Sequence, residues 1–355
     1  MDHAAMLYEE KSNSIVHCFL CAHNCAIKPG EYGFCGVRQN IAGDCITYTY
    51  GEVISRNIDP VEKKPLYHFY PGTRAASIAT SGCNFRCSFC QNWRISQWNN
   101  HAGEAGGIEL APEAVVRYAK RNGCTSIAYT YTEPTIFFEY AYDISRVATR
   151  NGLKNIFVTN GYMTPAALET IAPYLDACNV DLKSFSDDFY RKVCRARLQP
   201  VLDSIIHMKE LGMWVEITTL IVPGQNDSDD ELRAAAGFIA GVSTEIPWHI
   251  NRFHPAYNAV DIPPTPDETL NRAETIGREA GLKYVYRGNI SREAGTVCPA
   301  CGAVLVERDL LQGVRVRIQD SRCPSCGCRV AGHWGRETGA PAHTVKNASP
   351  DGEMK

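Results

Sequence analysis

Residues 75–93 read Ala-Ala-Ser-Ile-Ala-Thr-Ser-Gly-Cys-Asn-Phe-Arg-Cys-Ser-Phe-Cys-Gln-Asn-Trp. An apolar, β-forming run, Ala75–Thr80, leads straight into a loop that carries Cys83, Cys87 and Cys90. The spacing is C-x3-C-x2-C. Thiolates hold iron–sulfur clusters, usually four to a cluster. Three on one loop leave one iron without a protein ligand. The plainer alternative is a structural zinc ion whose fourth ligand lies elsewhere. An aromatic residue before the last cysteine and the place of the loop at a strand end favour the cluster.

Downstream, short β-rich runs alternate with helical ones. Strands are expected at Ala75–Thr80, Ser126–Thr130, Asn155–Thr159, Asn179–Leu182, Trp214–Ile221 and Trp248–Phe253, with a further short one at Tyr284–Tyr286. Helices are expected at Ala111–Arg121, Pro165–Leu175, Leu202–Leu211, Asp229–Val242 and Asp267–Ala280. Strands alternating with helices argue for βα units and a parallel sheet. The expected fold is α/β: a partial (β/α)6 barrel of TIM type, with its site in the loops at the strand C-termini. A doubly wound sheet is the rival, weakened because no glycine-rich dinucleotide fingerprint follows the first strand.

The expected organisation is a cysteine-rich module at 1–70, the barrel at 71–290, a ribbon-like module at 291–336 and a disordered tail at 337–355. Residues 1–65 read as irregular, except that Cys45–Ile54 suggests strand, turn and strand.

The chain has 355 residues, a net charge of −3 and 45% hydrophobic residues. That balance gives no reason to expect a nucleic-acid or membrane partner. No run approaches the roughly 18 apolar residues of a membrane span, and the first residues lack a signal-peptide core, so a cytoplasmic protein is expected. In that reducing compartment, clustered cysteines among the 16 point to metal rather than disulfides. Cys298-Pro-Ala-Cys301-Gly and Cys323-Pro-Ser-Cys326-Gly form two knuckles of zinc-ribbon type. Structural zinc is expected there, with a rubredoxin-like iron as the alternative. Cys18, Cys21, Cys25 and Cys35 offer four more thiolates, for zinc or an auxiliary cluster; zinc is preferred because small metal modules often need the ion to fold. Cys45, Cys124, Cys178 and Cys194 read as small buried hydrophobes.

Cys83-Asn-Phe-Arg-Cys87-Ser-Phe-Cys90 resembles the signature of the radical S-adenosylmethionine (SAM) superfamily. Within it the chain is similar to activating enzymes of pyruvate formate-lyase type, and more closely to the radical SAM enzyme of the AmmeMemoRadiSam system. That likeness rests on Pro60-Val-Glu-Lys-Lys-Pro-Leu-Tyr-His68, Gln91-Asn-Trp93, Tyr131-Thr-Glu-Pro134, Asn179-Val-Asp-Leu-Lys183 and the paired knuckles. It spans Cys18 to Trp334.

The resemblance implies a [4Fe–4S] cluster on Cys83, Cys87 and Cys90 as the catalytic group, SAM on the open iron, and a 5′-deoxyadenosyl radical that takes hydrogen from a substrate. It implies a reductant such as flavodoxin or ferredoxin, and a protein substrate or an operon partner. It further implies SAM contacts from Thr132 and Glu133, where two glycines of the family pattern are replaced by Tyr131 and Thr132, and from Thr159, Asn160, Asp181 and Lys183. His249 and His254 are alike candidates for the adenine, with structural histidines as the alternative, and Arg252 could face substrate. Modification of RNA and pure electron transfer are the competing functions. Arg329-Val-Ala-Gly-His333 resembles a glycyl-radical segment, but beside a cysteine knuckle it reads as coincidence.

Overall fold

The structure is a computed structural model and describes residues 3–97, 107–290, 295–309 and 313–335. The expected tail lies outside these residues.

Seven parallel strands form the heart of the chain. They are β2 (Arg74–Ala79), β3 (Ser126–Tyr129), β4 (Lys154–Thr159), β5 (Ala177–Asp181), β6 (Trp214–Ile221), β7 (Trp248–Arg252) and β8 (Val285–Gly288), hydrogen-bonded in that order. An edge strand, β1 (Ser55–Pro60), pairs antiparallel with β2. It falls inside the stretch that sequence assigned to the N-terminal module. The two edges, β1 and β8, do not meet, so the barrel stays open. Six helices of seven or more residues, among the described residues, connect the parallel strands: α1 (Pro112–Arg121), α2 (Phe138–Arg150), α3 (Pro165–Ile171), α4 (Gln199–Glu210), α5 (Asp229–Val242) and α6 (Asp267–Glu279). This is the expected partial barrel, closed on one side by a seventh parallel strand. β6 is buried along nearly its whole length, as parallel strands covered on both faces must be.

Helix starts follow local chemistry. Thr164 accepts from Ala167 N–H ahead of Pro165, and Ser228 accepts from Glu231 N–H. α2 was missed in the sequence. It opens on Phe138-Glu-Tyr-Ala-Tyr, with aromatic residues of modest helix propensity and no side-chain cap. Burial of Phe138, Tyr140, Ala141, Ile144 and Ala148 overrides that.

The first residues are not irregular. Strands Tyr8–Lys11, Ile15–Cys18 and Cys25–Ile27 make one antiparallel sheet, and His3–Ala4, Asp44–Thr47 and Arg38–Ile41 make another. They pack against the loops after β2 and β4: Ala22 N–H donates to Tyr162 O, and Thr164 Oγ1 donates to Phe19 O.

The C-terminal module, a sheet of Thr296–Val297, Val304–Asp309 and Gly313–Val316, sits beneath the opposite end. Glu216, near the start of β6, is the knot. Its carboxylate accepts from Tyr67 N–H (2.9 Å), His68 N–H (2.8 Å), Trp214 Nε1 (2.9 Å) and His249 Nε2 (2.7 Å). His68 Nδ1 donates to Ala331 O (2.7 Å), and Tyr286 OH donates to its Nε2 (2.6 Å). His249 is therefore structural and lies at the end of the barrel away from the cysteine loop, which corrects its candidacy for adenine. Gly332, in the segment that resembles a glycyl-radical site, has φ +146, and a Cβ there would come 2.7 Å from His68 O. Close packing accounts for that glycine.

Burial holds the His68 imidazole down to about 4, against the opposing pull of Glu216 and the Ala331 carbonyl. The folded chain thus refuses a proton that the unfolded chain accepts below about 6.5. Stability is fully present above that pH and is lost as pH falls toward 4. The full effect is about 3 kcal/mol, at 1.36 kcal/mol per pKa unit. Melting temperature should fall between pH 6.5 and 4.5. His68→Gln, with no proton to gain, should melt lower at neutral pH but with a shallower slope. An equal slope would place the acid sensitivity elsewhere.

Candidate active site

Gly82, with φ +99, turns the chain at the C-terminal end of β2 and starts the cysteine loop. Cys87 is buried, and Cys83 and Cys90 are half-buried. Backbone N–H groups face the sulfurs: Phe85 N–H lies 3.3 Å from Cys83 Sγ, and Asn92 N–H points at Cys90. The Asn160 amide Nδ2 lies 3.9 Å from Cys83 Sγ and donates to Asn84 Oδ1 at 2.7 Å. Burial, then the Glu133 charge, lifts the Cys83 thiol well above its usual range; a hydrogen bond with Cys194, then burial, does so for Cys87. Metal binding must therefore displace protons that are firmly held.

Glu133, after β3, is buried and already committed. Oε1 accepts from Thr135 N–H (3.1 Å), Thr135 Oγ1 (2.6 Å) and Thr159 Oγ1 (2.7 Å), and Oε2 from Asn160 N–H (2.8 Å). Burial raises its pKa while these donors pull the other way. The carboxylate braces the loops after β3 and β4 instead of standing open to a ligand. Thr132 Oγ1 donates to Thr80 O (2.8 Å), which ties the loop after β3 to the root of the cysteine loop. Tyr131, at φ +65, turns its hydroxyl to Asp59 on β1.

At the end of β5 the Lys183 ammonium lies 2.6 Å from Asp181 Oδ2, on the shared side that alternation along a strand predicts. Burial would depress the Lys183 pKa, but the Asp181 carboxylate and the Cys87 side chain hold it above its usual value. Cys194, read from sequence as a stray buried residue, lies against Cys87. It closes a one-turn π-helix, Tyr190–Cys194, a distortion frequent at functional sites. Only its contacts reveal it, because it stands 104 residues beyond Cys90 in a run with no metal spacing. His254 is exposed on the rim, where its carbonyl accepts from Gln91 Nε2 at 2.8 Å. Arg252 pairs with Asp267 at the start of α6 and not with the loop. The strand ends thus assemble Cys83, Cys87, Cys90, Thr132, Glu133, Thr159, Asn160, Asp181 and Lys183, with His254 at the margin.

The C-terminal thiols are arranged differently. Cys298 and Cys326 lie 3.6 Å apart, and Cys301 and Cys323 3.7 Å. All four sulfurs lie within 4.8 Å of one another, the only such group of metal-ligating atoms among the described residues. Four ligands at about 2.3 Å around one tetrahedral ion need this spacing. Burial opposes ionisation of Cys323, but the Ser325 and Cys326 N–H groups draw its thiol down to about 6. We expect one tightly held metal ion per chain here. Elemental analysis should show the loss of that ion in Cys298→Ser/Cys323→Ser, and melting should show an unfolded C-terminal module.

Comparison with known proteins adds evidence on the family. The family model of the radical SAM superfamily matches residues 77–236. An uncharacterized protein of Methanocaldococcus jannaschii, MJ0808, is 46% identical over 92% of this chain and 98% of its own length. The pyruvate formate-lyase-activating enzyme of Clostridium pasteurianum is 27% identical over 52% of this chain and 79% of its own length. Among solved structures, a radical SAM methyltransferase from Sphaerobacter thermophilus matches with a TM-score of 0.50 and 20% identity, over 66% of this chain and 71% of that one. That last likeness shows the fold alone. The family-model match, the sequence similarity to an activating enzyme and a thiol loop at the mouth of a parallel half-barrel lead to one assignment: this chain is an enzyme of the radical SAM superfamily.

Proposed function

We propose that the protein cleaves SAM reductively at the Cys83/Cys87/Cys90 loop and uses the resulting 5′-deoxyadenosyl radical to take a hydrogen atom from a substrate that enters at the strand C-termini. The observation that carries this is the meeting of three cysteines, an Asp–Lys pair and amide donors at the open end of the barrel. The donor set fits the cluster of this family: three thiols on one loop, not crowded to single-ion spacing, with N–H groups aimed at sulfur. When bound, the cluster supplies one electron to the SAM sulfonium, which releases the radical.

The chain's own residues do the rest. Cys83, Cys87 and Cys90 would hold three irons and leave the fourth open. Asp181 and Lys183 offer opposite charges to the zwitterionic methionine end of SAM. Asn160 steadies Cys83 and the turn after it. Thr132, Thr159 and Glu133 keep these loops in register. His254 flanks the rim where the adenine side of SAM would lie. A flavodoxin- or ferredoxin-like donor in the cytoplasm would supply the electron. The C-terminal thiols hold zinc as a structural ion.

The test is anaerobic. Reconstituted protein, dithionite and SAM should give 5′-deoxyadenosine together with methionine. A fully loaded cluster that gives neither, with or without extracts of partner proteins, would sink the proposal. The activating-enzyme relatives favour one substrate class, a backbone hydrogen in a partner protein. Deuterium transfer from a labelled partner into 5′-deoxyadenosine would identify it.

A further inference from the structure

The N-terminal cysteines repeat the chemistry of the barrel loop on a separate module. Cys18 and Cys25 are direct cross-strand neighbours, so their side chains share one face of the hairpin. Cys21 lies in the turn between them, and Cys35 comes from the loop before Arg38–Ile41. All four line one cavity, together with Leu20, Ile27, Arg38 and Ile136.

Three observations favour ligands over inert buried thiols. First, Phe34 N–H lies 3.5 Å from Cys25 Sγ, the same kind of N–H···S contact that Phe85 makes with Cys83 at 3.3 Å. Second, Arg38 lines the cavity and is itself 2% exposed; its NH1 lies 3.8 Å from Cys18 Sγ, while its buried Nε has no hydrogen-bond partner. A buried N–H donor left over beside four sulfurs calls for an acceptor. Third, no disulfide joins any of them.

Spacing then decides what they hold. The C-terminal thiols gather to single-ion distance, whereas neither the N-terminal four nor the barrel triplet does so among the described residues. Thiols that surround a shared space without crowding fit a four-iron cube, whose corner irons sit apart and carry one thiolate each. We propose that Cys18, Cys21, Cys25 and Cys35 ligate a second [4Fe–4S] cluster, with Arg38 donating to its sulfur. This site lies next to the catalytic loop. His23 Nε2 bonds Asn84 O (2.7 Å), Arg86 reaches Phe34 O, and a Cβ on Gly82 would lie 3.6 Å from Cys35 O. Four thiolates leave no iron open, so this cluster would not bind SAM.

Cys83→Ala/Cys87→Ala/Cys90→Ala, reconstituted anaerobically, should still hold about four iron and four sulfide per chain. After dithionite its paramagnetic resonance signal should be unchanged by SAM. Cys21→Ala/Cys25→Ala should lose that signal and keep one that SAM does perturb. Zinc without sulfide at the N-terminal site, or about two iron and two sulfide in the triplet variant, would overturn the proposal. Because the triplet variant reads the N-terminal site alone, failure of SAM cleavage in the parent protein would leave this test intact.

Discussion

Replacing any one of Cys83, Cys87 or Cys90 by alanine is expected to reduce 5′-deoxyadenosine formation to the background of the assay. The loss should be total and not graded, because the cluster carries the chemistry and the protein only holds and orients it. Each thiol would supply one iron of the proposed cluster with its protein ligand, and the loop has no spare cysteine. Cys194 is the informative control. It touches Cys87 and is fully buried, so proximity alone would make it a candidate ligand. If the open iron belongs to SAM, Cys194→Ala should keep the iron, the sulfide and most of the product. Loss of the cluster in Cys194→Ala equal to that in Cys87→Ala would mean four protein ligands and no vacant iron, which is incompatible with SAM binding there. Quantifying iron, sulfide and 5′-deoxyadenosine on the four single variants settles the matter.

The second large effect lies far from this loop. Glu216→Ala removes the acceptor shared by Tyr67, His68, Trp214 and His249, all of it buried. Breaking one partner of such a buried arrangement costs ~3–5 kcal/mol, since the remaining donors have no water to turn to. For a chain of this size the melting temperature should drop by roughly 6–20 °C, at about 2–4 °C per kcal/mol. Glu216→Gln keeps one acceptor and should lose less. The measurement is thermal melting of metal-loaded protein, with the C-terminal metal counted afterwards. A change of only a degree or two would show that the contacts beneath the barrel are incidental.

The sequence announced the architecture through two periodic signals, apolar β runs and capped helices. Trp214–Ile221 was read to the residue, because a strand buried on both faces is continuous in its composition. α2 escaped because its helical state is imposed by packing. The β-structure of the first residues escaped because strands of two to four residues are too short to show alternation. At the site, the triplet and the Asp181/Lys183 pair were legible, since their logic is local. Glu133 was found but half its surroundings were not: two of its four donors are on nearby Thr135, while the other two, from Thr159 and Asn160, reach it only because the sheet sets β3 beside β4. Cys194, His249 and Arg252 illustrate the same limit. Their side chains are typical of functional residues, and only the fold shows that one lies beside Cys87, one beneath the barrel and one at a helix start.

The knot around Glu216 and His68 also bears on how the chain is made. His68 and its acceptor Ala331 are 263 residues apart, so the underside of the barrel is sealed by contacts between one segment and another synthesised much later. The cysteine loop and the N-terminal thiols leave the ribosome long before that seal can form. Iron–sulfur assembly factors would thus meet both sites on a barrel that is still open from below. Long-range closure of this kind is slow, which lengthens the interval in which clusters can be inserted and oxygen can reach them.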